Sequence, residues 1–242
     1  MAVSTYRHHG RAGADMKVPE PALLAAGPNF SLWLVDLHFQ PSLGAQSWLS
    51  DTERSKAERF VFERDRRRYL AAHASLRSLL AEHTAIAPDL LEFDEGPFGK
   101  PHLLGFAGCA FNLSHSEEVA VVLIAPGGEI GVDIEMLRPI PDAQALAHRN
   151  FSREECISLR AAEPAERDHA FLTGWTRKEA CLKAIGSGLS IAPDTFTAGL
   201  LHDPCTTTIA TPEGLARVTV QSFCHEQLCV IAWAKVESPS AD

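Results

Sequence analysis

Two segments hold acids and bases at spacings suited to phosphate chemistry. Gly131-Val132-Asp133-Ile134-Glu135 lies in an apolar run that reads as a buried strand, and Trp175-Thr176-Arg177-Lys178-Glu179-Ala180-Cys181-Leu182-Lys183 reads as a helix. Residues two apart on a strand share a face, so Asp133 and Glu135 project together while Val132 and Ile134 face the other way. On the helix, Trp175, Glu179 and Lys183 fall at i, i+4 and i+8 along one stripe. Three carboxylates that could converge, with lysines alongside, suit a hard divalent cation and a phosphate-bearing substrate. Each feature also has a plainer reading. Asp133 and Glu135 could end a strand and reach water, Glu179 could pair with Lys183 as on any helix, and Trp175 could be core. Buried on one face, however, the two strand acids repel each other unless a cation sits between them.

Further candidates lie upstream. Ser114-His115 suggests a nucleophile and its base, but adjacent strand residues point to opposite faces, which argues against a hydrolase dyad. His115 could instead donate to a phosphate. Lys100, in Gly96-Pro97-Phe98-Gly99-Lys100-Pro101, is either a solvated loop lysine or a phosphate clamp, and Gly99 would let the backbone approach a ligand. No segment matches a Walker loop or a dinucleotide fingerprint. The six cysteines are scattered without a C-x-x-C pair. With no signal-peptide core in the first residues, they read as reduced cytosolic thiols, and Cys224, His225 and Cys229 are poorly spaced for zinc.

These residues need elements to position them. Ser31 to Leu37 reads as a strand, Asp51 to Phe60 as a helix capped by Asp51, and Asp65 to His83 as a longer helix. Phe111–Leu113 and Val119–Ala125 read as strands around Ser114–Glu118, and Pro126-Gly127-Gly128 breaks the chain before a new strand at Ile130. Ser152-Arg153-Glu154-Glu155 fits a capping box. Pro164 suits the first turn of the next helix, which stops at Gly186-Ser187-Gly188. Arg217–Phe223 and Gln227–Ala234 suggest a terminal antiparallel pair. The expected organisation is a mobile segment 1–28, an α+β half at 29–127, and a second α+β half at 128–242 with the metal site.

The chain has 242 residues and a net charge of −9, which argues against a general nucleic-acid binder. No apolar run approaches the roughly 20 residues that span a bilayer. Residues 54 to 68 nonetheless hold seven basic side chains against three acidic ones. That patch suggests a local anionic ligand; the alternative is a solvated helix face with ion pairs such as Glu63 with Arg67.

In this order the segments resemble the Sfp-type 4'-phosphopantetheinyl transferases. The resemblance rests on Arg59-Phe60-Val61-Phe62-Glu63-Arg64-Asp65, Gly99-Lys100-Pro101, Phe111-Asn112-Leu113-Ser114-His115-Ser116 and the two segments quoted first. It implies an α+β intramolecular pseudo-dimer, monomeric and cytoplasmic, with coenzyme A between two similar halves. It implies transfer of 4'-phosphopantetheine from coenzyme A to a serine of an acyl or peptidyl carrier protein, releasing adenosine 3',5'-bisphosphate. By motif position Asp133, Glu135 and Glu179 look like Mg²⁺ ligands, Glu179 also like the base, and Lys183 like the pyrophosphate contact. Lys100, Ser114 and His115 match positions holding the adenosine end and its 3'-phosphate, with Arg64, Lys56 and Arg59 in the basic segment reaching the same phosphate. A non-catalytic coenzyme A or carrier-binding module is the alternative, expected to have lost at least one metal carboxylate.

Overall fold

The computed structural model describes Val18 and residues 20–238. Its first half runs β1 (Ala22–Gly27), β2 (Phe30–Asp36), α1 (Leu43–Gln46), α2 (Asp51–Glu58), α3 (Glu63–Thr84), β3 (Phe93–Glu95), β4 (Pro101–Leu103), β5 (Ala110–Ser116) and β6 (Val119–Ala125). The second runs β7 (Ile130–Met136), α4 (Ala143–Asn150), α5 (Arg153–Ala161), α6 (Arg167–Ile185), β8 (Cys205–Thr211), β9 (Gly214–His225) and β10 (Cys229–Val236). Each half holds one four-stranded sheet, ordered β1-β2-β6-β5 and β7-β10-β9-β8, antiparallel throughout. Each sheet carries one long helix, so the fold is α+β with two similar halves.

The alternation along the central strands explains the layering. In β6, Ala120, Val122 and Ile124 pack with Ala72, Leu76 and Leu80 of α3, whereas Val121 and Leu123 face the other way. That second face meets Ile130, Val132 and Ile134 of β7 and Ile231 of β10, so one core joins the two sheets. A strand buried on both faces must read as an uninterrupted apolar run, as Val119–Ala125 does. On the outer side of the second sheet, Ala232 and Ala234 pack with Ala180, Cys181 and Ala184 of α6.

Several boundaries differ from the expectation. Part of the lead-in is a strand: β1 pairs with β2 across a bulge between Leu23 and Ala25. Its Ala-rich, largely exposed sequence has little β propensity of its own, and pairing supplies what the sequence lacks. The rest of the expected mobile segment, apart from Val18 and residues 20–28, lies outside the described residues. Ser50, not Asp51, caps α2, in a reciprocal capping box with Glu53. Strand β5 continues through Ser116. Pro164 sits in a turn before α6, whose first helical residue is Arg167. The capping box at Ser152 and the left-handed Gly186 stop at φ +76° are both present.

Candidate active site

The site lies where β5, β7 and α6 meet. Gly131 makes that meeting possible: a Cβ there would stand 2.2 Å from the Ala180 carbonyl oxygen and 2.3 Å from the Ala184 nitrogen. The helix backbone therefore lies directly on the strand. Gly131, Asp133 and Glu135 share the β7 face turned toward α6, which brings both acids to Glu179 and Lys183. On the other side β5 and β7 are sheet edges, and side chains of β5 join them. Asn112 Oδ1 accepts from Val132 N at 2.8 Å, and Ser116 Oγ accepts from Met136 N at 3.3 Å.

Asp133 is 6 % exposed and its Oδ1 takes two donors. Lys183 Nζ donates to it at 2.7 Å and Ser114 Oγ at 2.8 Å, while Lys183 also donates to Ser114 Oγ at 2.9 Å. Asp133 Oδ2 is buried with no partner. Glu135 Oε2 accepts from Arg138 at 2.9 Å and, more weakly, from Ser116 at 3.4 Å. Burial pushes the Asp133 carboxyl above its usual range against the opposing pull of Lys183 and Ser114, and Glu135 adds to the rise. Glu179 is likewise raised, by burial first and the Asp133 charge second. Two acids pushed toward the protonated form by burial and by neighbouring carboxylates mark a site short of positive charge.

That shortage bears on a divalent cation. Among the described residues no group of three or more His, Cys, Asp or Glu side chains stands placed to hold a metal ion by itself. A closed cage is not what Mg²⁺ requires, since it takes one or two carboxylates and keeps waters or phosphate oxygens elsewhere. The unpartnered Asp133 Oδ2, beside Glu135 and Glu179, fits that demand.

The other expected residues are spread around this centre. His115, adjacent to buried Ser114, is on the exposed side of β5. Crowding by the protein and the Lys183, His73 and Arg68 charges together hold its imidazole below the ordinary value. Lys100, expected as a phosphate clamp, is committed as placed: Nζ donates to Glu129 at 2.6 Å and to the Ala184 carbonyl at 2.8 Å, capping the last turn of α6. Lys56 stands over the Tyr69 ring at 5.5 Å, Arg59 ends α2, and exposed Arg64 reaches Asp65 at 3.4 Å.

Sequence reasoning missed Arg68, which pairs with Glu118 at 2.8 Å and is the α3 arginine acting on His115. Its spacing of four from Arg64 was the available signal. The anticipated Glu63–Arg67 pair is absent: Glu63 meets Arg66, and Arg67 also turns to Glu118. Nor does Lys183 serve Glu179 as a simple helix pair, since its hydrogen bonds go to β5 and β7. Arg177 and Lys178 point away from the site and are buried. Arg177 donates to the Ala198, Leu201 and Asp203 carbonyls, and Lys178 meets Glu155 at 2.7 Å, so this half of the helical motif anchors the segment that follows α6.

Residues 129–230 match the family model described as the 4'-phosphopantetheinyl transferase superfamily, and residues 40–126 match 4'-phosphopantetheinyl transferase, N-terminal. The chain belongs to the 4'-phosphopantetheinyl transferase superfamily. Among its relatives, the transferase is 36% identical over 176 residues to 4'-phosphopantetheinyl transferase HetI of Nostoc sp., covering 70% of this chain and 74% of HetI. It is 36% identical over 179 residues to 4'-phosphopantetheinyl transferase psf-1 of Bacillus pumilus, covering 73% and 74%. With 4'-phosphopantetheinyl transferase Sfp of Bacillus subtilis it shares 31% over 157 residues, covering 65% and 69%.

Proposed function

We propose that the seam between β5, β7 and α6 is where this transferase moves 4'-phosphopantetheine from coenzyme A to a serine hydroxyl of an acyl or peptidyl carrier protein. The serine oxygen forms a bond to the pantetheine-side phosphorus of the pyrophosphate. The bond from that phosphorus to the bridging oxygen breaks, and adenosine 3',5'-bisphosphate leaves with the electron pair. The observation that carries this reading is the half-satisfied, buried Asp133 carboxylate beside Glu135, Glu179 and Lys183. A binding module would have no use for such a costly group, which counts against the non-catalytic alternative.

In this reading Asp133, Glu135 and Glu179 would hold Mg²⁺, which when bound neutralises pyrophosphate charge during transfer. Lys183 releases Ser114 and Asp133 to meet the pyrophosphate. Glu179 takes the serine proton. His115, Ser114 and Lys100 border the adenosine end, with Lys56, Arg59 and Arg64 toward the 3'-phosphate. Lys100 must exchange Glu129 for the ligand to take part. The halves 29–127 and 128–242 supply the cleft within one chain, so a monomer suffices. Six free cysteines fit a reducing cytoplasm, and no described helix is long and apolar enough to cross a membrane.

The deciding assay follows adenosine 3',5'-bisphosphate release from coenzyme A together with the mass gain of a carrier protein. Release that depends on both magnesium and the carrier is the expected result; release without carrier would point to another phosphoryl transferase.

A further inference from the structure

Helix α2 presents Lys56 and Arg59, yet only Ala57 of its residues is buried, so a single methyl ties it to the core by apolar contact. Its firm attachment is polar. Glu53 Oε2 accepts from the Ser50 backbone N–H at 2.8 Å and from Arg77 Nε at 2.9 Å, with the Arg77 Nη2 at 2.7 Å. Arg77 is itself fixed: 1 % exposed, it donates to the Pro88 and Leu91 carbonyls at 2.7 and 3.0 Å and stacks over Phe93. Glu53 Oε1 faces His73 Nδ1 at 3.1 Å, and the His73 ring lies against Tyr69 with centroids 4.0 Å apart. The same Tyr69 ring carries the Lys56 ammonium. One carboxylate thus sets the start of α2, its seat on α3, and the wall on which Lys56 rests.

We infer that Glu53 is a positioning residue for recognition of the coenzyme A 3'-phosphate, acting through the placement of α2. It touches no substrate. By holding α2 in one register against Arg77 it fixes where Lys56 and Arg59 offer their charges, and through His73 it borders the surface on which His115 sits. The sequence alone shows Glu53 as an acid among bases, where a negative charge would weaken anion binding. The structure removes that conflict, because Arg77 and His73 absorb the charge below the basic face. This inference rests on reading Lys56 and Arg59 as 3'-phosphate contacts.

The test compares KM for coenzyme A with KM for 3'-dephospho-coenzyme A, alongside thermal melting. In Glu53→Gln the ratio of the two KM values should shift against coenzyme A by roughly tenfold, the scale of one lost charge-assisted contact, with the loss in KM rather than kcat. General destabilisation would move both KM values together and leave the ratio alone. Should Glu53→Gln not give folded protein, Arg77→Lys keeps the charge, loses the fork, and tests the same contact with a smaller shift in the same direction. An unchanged ratio in the folded variant overturns the proposal. If Lys56→Ala and Arg59→Ala still shift the ratio, only the positioning role falls. If they leave it unchanged too, the phosphate contacts fall with it.

Discussion

Asp133 and Glu179 are both raised, chiefly by burial, with Glu135 adding to the first and the Asp133 charge to the second, yet they answer to different partners. Asp133 is bridged to Lys183 and Ser114 with one oxygen left bare, so its value is as a ligand. Asp133→Ala should lower transfer by orders of magnitude while the protein stays folded, because no neighbouring carboxylate can take its place. Near-normal turnover of the folded variant in limiting Mg²⁺ would end the metal assignment. Glu179 is asked to be ligand and base at once. Glu179→Gln keeps shape and one oxygen donor but cannot usefully accept a proton. It should bind coenzyme A within a few-fold of the parent by calorimetry, yet transfer slower by roughly 10²–10⁴. Transfer within tenfold would make Glu179 an accessory ligand and a water held by Glu135 the better base.

At the level of elements, the crossing of β7 and α6 depends on Gly131. Because the obstacle is helix backbone, not a movable side chain, Gly131→Ala must push the elements apart. A cost of about 3 kcal/mol or more in urea denaturation is expected, at or above the usual range for overpacking, with transfer falling alongside. Normal stability in that variant would show that the two elements do not lie in backbone contact. The attachment of α2 has a pH signature. Despite the cost of burial, hydrogen bonds from His73 and Arg77 bring the Glu53 pKa down from 4.5 to about 2. A carboxyl depressed on folding contributes stability above its unfolded value and loses it as pH falls through the folded one. The stability gap between parent and Glu53→Gln should therefore narrow from pH 4.5 to 2 in acid titrations, and a constant gap would refute the assignment. Much of this was legible beforehand: two-residue and four-residue periods placed Asp133, Glu135, Glu179 and Lys183, and the Ser152 box and Gly186 marked helix ends. What was not legible depends on partners. Thr-rich β8, with only Ile209 buried, and Ala-rich β1 are edge strands defined by pairing. Lys183 could be placed on the right stripe, but only the fold shows that it bonds to β5 and β7.

Across the whole molecule, the two sheets share one apolar core and meet at the β5–β7 seam. Unfolding should therefore be a single event, with fluorescence and circular dichroism transitions coinciding. Asn112→Ala leaves the Val132 N–H without its partner in the seam and should cost about 1–3 kcal/mol without splitting that transition. Two separated transitions would mean that the halves are independent domains. The same seam has a consequence during synthesis. The first half leaves the ribosome with the β5 edge unpaired and the Leu32, Val121 and Leu123 face uncovered until β7 and β10 emerge. An open strand edge beside bare apolar surface invites cross-pairing between nascent chains. Because β10 follows every other described strand, this interval spans the translation of β7 through β10. Slow elongation or truncation after β6 should be paid for in aggregation, long before any catalytic residue of the second half exists to be lost.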